Sequence, residues 1–247
     1  MLLDRLLGAS VQFEAPAAVS DAARTYLTEA RARGERVYVI PTGGSNAIGA
    51  RGYVRCALEL CAQAEALGFE LTDVVHASSS AGTQAGLLAG FHALRPSNRP
   101  RVHGINVYTR DTEGLRATIL DMSNATLRDC AVASEQLGNA AIASEAARIE
   151  PADVRLDERF LGTDYGIPTG TTIAAIRTLA AAEGVVMDPV YSGKAFGGLL
   201  ARIRAGEFGG VQDLVFIHTG GTPTLDVYDT AFADLDLGTS AHGRSSG

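Results

Sequence analysis

The feature that most constrains this chain is a set of short, continuous apolar runs, most of which lead straight into Gly- or Ser-rich turns. Val37-Tyr38-Val39-Ile40 ends at Pro41 and two glycines. Asp73-Val74-Val75-His76-Ala77 leads into Ser78-Ser79-Ser80-Ala81-Gly82-Thr83. Arg101-Val102-His103-Gly104-Ile105-Asn106-Val107, Val185-Val186-Met187 and Leu214-Val215-Phe216-Ile217 follow further along, the last opening into His218-Thr219-Gly220-Gly221. Runs without polar alternation are strands buried on both faces. Between them lie amphipathic segments. Ile48, Val54, Leu58 and Cys61 share one face of a helix over 47–67 that stops at Gly68. A second helix runs to Leu94. Ala-rich residues 112–150 read as helical with breaks near Asn124 and Gly138. Thr171 or Thr172 caps a helix ended by Gly184, and Phe196, Leu199, Leu200 and Ile203 form the apolar face of another, with Gly206 just past it. The expected fold is α/β, a parallel sheet covered by helices on both faces. Residues 2–9 read as the last turns of a further helix, the charged stretch from Ala22 to Arg33 as a solvated one, and 236–247 as a disordered tail.

Composition narrows the function. With 247 residues, a net charge of −7 and no apolar stretch near the roughly 18 residues of a membrane span, neither nucleic acid nor a membrane is an expected partner. The early charges of Met1-Leu2-Leu3-Asp4-Arg5 do not suit a signal peptide, so a soluble, cytoplasmic protein is expected. Three cysteines (Cys56, Cys61 and Cys130) suit neither a disulfide framework nor zinc, and no HxxxH, HExxH or CxxC spacing occurs. No GxSxG elbow or tandem repeat is present. Of 21 basic residues, 20 are Arg, and Lys194 is the only lysine.

Chemistry concentrates at the expected strand ends. Ser79, Ser80, Ala81, Gly82 and Thr83 place hydroxyls and free N–H groups at a helix start, where orphan donors and the helix dipole favour an anion. A capped turn without ligand is the plainer reading. The spacing matches neither GxGxxG nor a P-loop. Tyr191 and Ser192 follow a buried run, where open α/β sheets bind ligands. Tyr165 stands in the turn Asp164-Tyr165-Gly166-Ile167-Pro168. Thr42-Gly43-Gly44-Ser45-Asn46 and the glycines after Thr219 make two more loops of this kind. Taken singly, each of these loops reads more readily as a structural turn. His76 and His103 read as core histidines.

In combination these segments resemble the pyridoxal-phosphate-dependent lyases typified by D-cysteine desulfhydrase and 1-aminocyclopropane-1-carboxylate deaminase, of fold type II. The matching stretches are residues 38–46, 81–86, 156–160, 165–168, 188–194 and 218–221, in the family's order. The resemblance implies a pyridoxal 5'-phosphate cofactor, its phosphate held by Ser79–Thr83, Ser192 facing the pyridine nitrogen and Thr219 lining the ring. Tyr165 and Tyr191 would be the catalytic residues beside a small amino-acid substrate. Ser192 resembles the desulfhydrases, since the cyclopropane deaminases carry Glu there. The implied activity is therefore α,β-elimination, with ring opening or a non-catalytic phosphate-ligand-binding relic as alternatives. A phosphosugar-binding module would explain the Ser-rich loop but not the tyrosine segments.

The resemblance also implies homodimers, a small-domain remnant over 1–45 and a cofactor domain over 46–235. The family's Schiff-base lysine, in a Gly-Asn-Lys context, and its carboxylate-gripping loop have no match here. A truncated chain that does not complete the reaction is the expectation. Lys194 aligns with a different family lysine. Its neighbours Gly193 and Ala195 are small and Asp188 is the nearest upstream charge, so the local sequence shows no clear desolvation or cation to activate it.

Overall fold

In the computed structural model, the described residues are 2–94, 98–136, 148–211 and 213–232. The chain divides into two units, Met1–Pro41 and Thr42–Gly247. The first holds α1 (Leu2–Leu6) and α2 (Val19–Ala32). Val37–Ile40, expected as a buried strand, is not one: it pairs with no strand, and Tyr38, Val39 and Ile40 are exposed. Strand composition without a neighbouring ladder leaves backbone N–H and C=O groups to water.

The second unit carries the sheet. In chain order it contains α3 (Ala47–Leu67), β1 (Asp73–Ser78), α4 (Gly82–Leu94), β2 (Arg101–Asn106), α5 (Thr112–Gln136) and β3 (Arg155–Asp157), followed by α6 (Gly170–Glu183), α7 (Ser192–Arg204) and β4 (Leu214–Ile217). All strand pairs are parallel, in the order β3-β2-β1-β4. Val74, Val102, Leu156, Val215 and Ile217 join the core beneath α3, α4 and α5. Val75, Ala77, Ile105, Leu214 and Phe216 join the core beneath α7. The period-2 split of each strand thus feeds two apolar layers, as expected of a sheet covered on both faces.

Several boundaries differ from expectation. Val185–Met187 forms no strand: Met187 is buried, but Val185 and Val186 are partly exposed, and the Val186 carbonyl accepts from His218 and Thr222 side chains. The short β3, with charged residues at both ends, was not foreseen. α5 runs unbroken through Asn124, whose side chain instead clasps the buried Ile149 through both its N–H and its C=O. Gly138 and the tail 236–247 lie outside the described residues. Thr169, not Thr171 or Thr172, caps α6 by accepting from Thr172 N, and Gly184 closes it in the left-handed region. No helix among the described residues is long and apolar enough to cross a membrane.

Two constraints fix the end of α4. Ala50 and Ala57 of α3 face Gly86 and Gly90 of α4 so closely that a Cβ on Gly86 would sit 2.2 Å from Ala50 O, and one on Gly90 2.6 Å from Ala57 Cβ. The fully buried Gln84 accepts from Ser78 Oγ at 3.0 Å and donates to Arg155 O at 2.8 Å, tying the helix to β1 and β3. Gly104 of β2 makes room for it, since a Cβ there would lie 2.2 Å from Gln84 Oε1. Gly104→Ala is therefore expected to cost about 1–3 kcal/mol, lowering the urea midpoint at unchanged m-value in circular dichroism. An unaltered midpoint would refute this role for Gly104.

His76 is a core histidine, but half-satisfied: Nδ1 meets Ala77 O at 2.8 Å and Nε2 has no partner among the described residues. Burial lowers its pKa from 6.5 to about 4, and burial also lowers His92 and His103. The unfolded ring takes a proton that the folded ring refuses, so stability is intact above about pH 6.5 and falls as pH drops toward 4. For His76 alone the loss is about 3 kcal/mol. Urea unfolding between pH 7 and 4 should show that slope, flattened in His76→Leu; equal slopes would remove His76 from the account.

Candidate functional site

The carboxyl ends of the strands face one edge of the sheet, and β1 lies where the topology reverses, with β2 on one side and β4 on the other. Ligands in open α/β sheets sit in the crevice at such a switch point. The loop after β1 leaves a helix terminus open. Ala85 N–H to Ala81 O is the first bond of the α4 ladder, which leaves the Gly82, Thr83 and Gln84 amides at the open helix end. Ala81 is the only non-glycine residue with positive φ among the described residues, at 75°. Such strain collects at ligand-gripping turns. The loop is braced by Ser45, whose Oγ donates to Ser80 Oγ at 2.7 Å. Gly82 and Gly43 permit this: a Cβ on Gly82 would lie 2.8 Å from Ser45 Oγ, and one on Gly43 2.4 Å from Ser80 Oγ. Ser79 and Thr83 are half-buried beside it.

A second cluster gathers at the ends of β2, β4 and the start of α7. Asp188, fully buried, accepts from the amides of Val190 (2.8 Å), Tyr191 (2.6 Å) and Ser192 (2.8 Å), and its carbonyl accepts from Gly193 N. α7 therefore begins at Ser192, four residues before the apolar face that announced it. The Tyr191 and Tyr165 hydroxyls are hydrogen-bonded to each other, and Tyr108 stacks edge-on against Tyr165 at 5.4 Å. Asn106 shapes the turn under Tyr108 by accepting from the Tyr108 and Thr109 amides. Burial, then the Tyr165 hydroxyl, pushes the Tyr191 phenol above its usual range, so it keeps its proton. Ser192, almost fully buried, reaches His218 Nδ1 and Gly220 O, both at 3.1 Å. Thr219 is exposed between them in sequence.

The named residues thus fall into two groups on one sheet edge: Ser79–Thr83 at β1, and Tyr165, Tyr191 and Ser192 with the Thr219 loop. Asp188, His218 and Ser45 stood in loops named from sequence but were given no role of their own, and Tyr108 was not named. Asp188-Pro189 before a helical pattern was the available signal for a capping carboxylate; the others announce themselves only through contacts. Residues 156–160 contribute no group to this cluster: Leu156 is core, Asp157 pairs with Arg159, and Phe160 lies against Gly198. A cavity of ≈ 580 Å³ opens instead beside β3, lined by Arg116, Arg155, Asp157, Arg159 and Arg202. Asp157, Arg159 and Arg202 pair there with one another and with Glu207, and Arg116 pairs with Glu113. Among the described residues no cluster of His, Cys, Asp or Glu is arranged for a metal.

A family model described as "pyridoxal-phosphate dependent enzyme" matches residues 1–220. The chain belongs to that pyridoxal-phosphate dependent enzyme family. It is 39% identical over 201 residues to a D-cysteine desulfhydrase of Yersinia enterocolitica, covering 81% of this chain and 55% of that protein. The D-cysteine desulfhydrase of Salmonella newport is 40% identical over 205 residues, covering 83% and 56%. The chain thus spans about half the length of the curated relatives it matches. A crystal structure of an ACC deaminase homologue superposes with a TM-score of 0.75 at 30% identity, over 94% of this chain and 65% of that one. An O-ureido-L-serine synthase shares the fold at a TM-score of 0.54 and 17% identity.

Within this pyridoxal-phosphate family architecture, Lys194 corrects the sequence expectation. Its amine is desolvated: it is 1% exposed, and Nζ donates to Leu161 O at 2.7 Å and Asp164 O at 2.9 Å. Burial lowers its pKa, opposed by the Asp164 charge. It anchors the turn that presents Tyr165 and is turned toward backbone carbonyls. Borohydride reduction with pyridoxal 5'-phosphate should leave Lys194 almost unlabelled in the folded chain and label it in denaturant, read by peptide mass mapping. Stoichiometric labelling of the folded chain would contradict this placement.

Proposed function

We propose that residues 46–235 form the cofactor domain, and 1–45 part of the smaller domain, of a cytoplasmic, homodimeric pyridoxal-phosphate-dependent lyase. The whole protein carries out α,β-elimination on a small amino acid of the D-cysteine type. The observation that carries the reading is the cradle at the switch point: the strained Ala81, the open α4 terminus, and two glycines whose Cβ atoms would collide with the serine brace. That cradle suits a dianionic phosphate ester.

Ser79, Ser80, Ala81, Gly82 and Thr83 hold the phosphate through hydroxyls and amides. Thr219 and the glycines after it would border the ring, and Ser192 would stand at its nitrogen. Pyridoxal phosphate, when bound, supplies a conjugated ring that takes up the electron pair left at the substrate α-carbon. The tyrosine pair does the positioning beside the substrate. Tyr191 Oη, kept protonated by burial, offers a hydrogen to a departing thiolate, and Tyr165 Oη holds its direction. Lys194 Nζ takes no part in covalent chemistry, being spent on Leu161 and Asp164. Similarity to the desulfhydrases, and Ser rather than Glu at 192, favour elimination over the ring opening that the ACC deaminase homologue suggests.

Thermal-shift and calorimetric titration should show stabilisation by pyridoxal 5'-phosphate and, more weakly, by inorganic phosphate. Thr83→Val removes one hydrogen bond to a charged oxygen, about 1.5–3 kcal/mol, and should weaken binding roughly tenfold or more. An unchanged affinity, or tighter binding of a sugar phosphate, would move the site or the ligand class elsewhere.

A further inference from the structure

Tyr108 belongs to a loop that touches both halves of the candidate site. Ser78 pairs with Asn106 at the last position of the β1–β2 ladder, and Val107 N–H donates to Ser78 O at 3.1 Å. The loops after β1 and β2 therefore leave the sheet one strand spacing apart, about 4.8 Å. Beyond the ladder the β2 loop meets the Tyr165 turn twice. The Tyr108 ring stands edge-on to the Tyr165 ring at 5.4 Å and 83°, and the Arg110 guanidinium donates to Thr163 O. The fully buried Asn106 fixes the backbone of this loop. Its Oδ1 accepts from the Tyr108 and Thr109 amides at 3.0 and 3.2 Å, and its Nδ2 donates to Thr109 O at 2.7 Å and Thr112 Oγ1 at 3.3 Å. None of these bonds needs a large side chain at 108. Tyr108 is nevertheless 47% exposed and outside both apolar cores, and its hydroxyl has no partner among the described residues. What the ring supplies is volume beside the Tyr165–Tyr191 pair.

We infer that Tyr108 determines specificity, its ring being a wall of the substrate compartment. It leaves room beside Tyr165 and Tyr191 for a side chain the size of those of alanine, serine or cysteine, and none for an aromatic one. This role rests on the reading that the tyrosine pair lies beside the substrate. An uncharged ring with an idle hydroxyl selects by volume, and a steric wall discriminates only when its supports do not yield. The backbone at Tyr108 is bonded through Asn106 to the end of β2. On the far side of the contact, the Tyr165 turn is held by Lys194 at the Leu161 and Asp164 carbonyls. Both supports are hydrogen-bonded main chain.

The test is calorimetric titration of the full chain with pyridoxine 5'-phosphate and with the 5'-phosphopyridoxyl conjugates of D-alanine and D-phenylalanine. A stable carbon–nitrogen single bond joins amino acid to pyridine in both conjugates, so binding is read without turnover. The native chain should bind the alanine conjugate roughly tenfold or more tightly than the phenylalanine conjugate. Tyr108→Ala should erase most of that gap by gaining affinity for the phenylalanine conjugate, with pyridoxine 5'-phosphate bound as before. Tyr108→Phe, which keeps the ring and drops only the hydroxyl, should select as the native chain does. Equal binding of the two conjugates by the native chain, or an unchanged preference in Tyr108→Ala, would overturn the role. So would a loss of affinity for the phenylalanine conjugate in Tyr108→Ala, or a Tyr108→Phe chain that behaves like it. If pyridoxine 5'-phosphate binds and neither conjugate does, the cofactor site stands and Tyr108 is not a wall of the substrate compartment. If none of the three binds, the cofactor reading itself falls, and this role with it.

Discussion

The carboxylate of Asp188 is the contact on which the rest of the site depends. It is fully buried, and its compensation comes from three consecutive amides at the start of α7 rather than from a cation. Those amides belong to the open end of a helix, where a negative charge is also favoured by the dipole. The same carboxylate leaves no room for a side chain on Gly221, whose Cβ would fall 2.7 Å from Asp188 Cγ. One ionised group therefore sets the direction of Tyr191 and Ser192 and the path of the chain after β4. It also positions the helix whose first turn carries Lys194, and through Lys194 the turn that bears Tyr165. Removing the charge would loosen both sides of the cluster together.

Much of this was legible in the sequence, for a physical reason. β1, β2 and β4 are buried on both faces, so their residues show unbroken apolar runs, and the loops after them advertise themselves by glycine and serine. The residues proposed to hold an anion, Ser79 to Thr83, are contiguous and could be read as a unit. What was misread shares a cause as well. Val37–Ile40 and Val185–Met187 have strand composition but no strand beside them, and composition does not report a neighbour. β3 is strand by pairing alone, with a single apolar residue, Leu156, between an exposed Arg155 and an Asp157 that faces Arg202 of α7. Asn124 looks like a helix breaker until Ile149, 25 residues on, occupies both ends of its amide.

The second cluster was legible as segments and illegible as contacts. Tyr165 and Tyr191 are 26 residues apart, as are Ser192 and His218, and nothing in either segment states that they touch. Lys194 shows the limit most plainly. Small, uncharged flanks suggested an amine without a special environment, whereas the fold buries it and gives it two carbonyls from a turn 30 and 33 residues earlier. Desolvation is a property of what packs around a residue, and glycine and alanine neighbours admit close packing.

The row of glycines on α4 has a bearing on how this protein could change. Gly86 and Gly90 bring α4 close against the Ala50 carbonyl, the Val54 backbone and the Cβ atoms of Tyr53 and Ala57 on α3, none of which moves by a change of rotamer. The position of the α4 terminus is therefore inherited from the contact of two helices at their backbones and Cβ atoms. Serine and threonine hydroxyls around it can be exchanged, and the strength or selectivity of the grip altered. The point in space at which the open α4 terminus stands remains where the two helices meet.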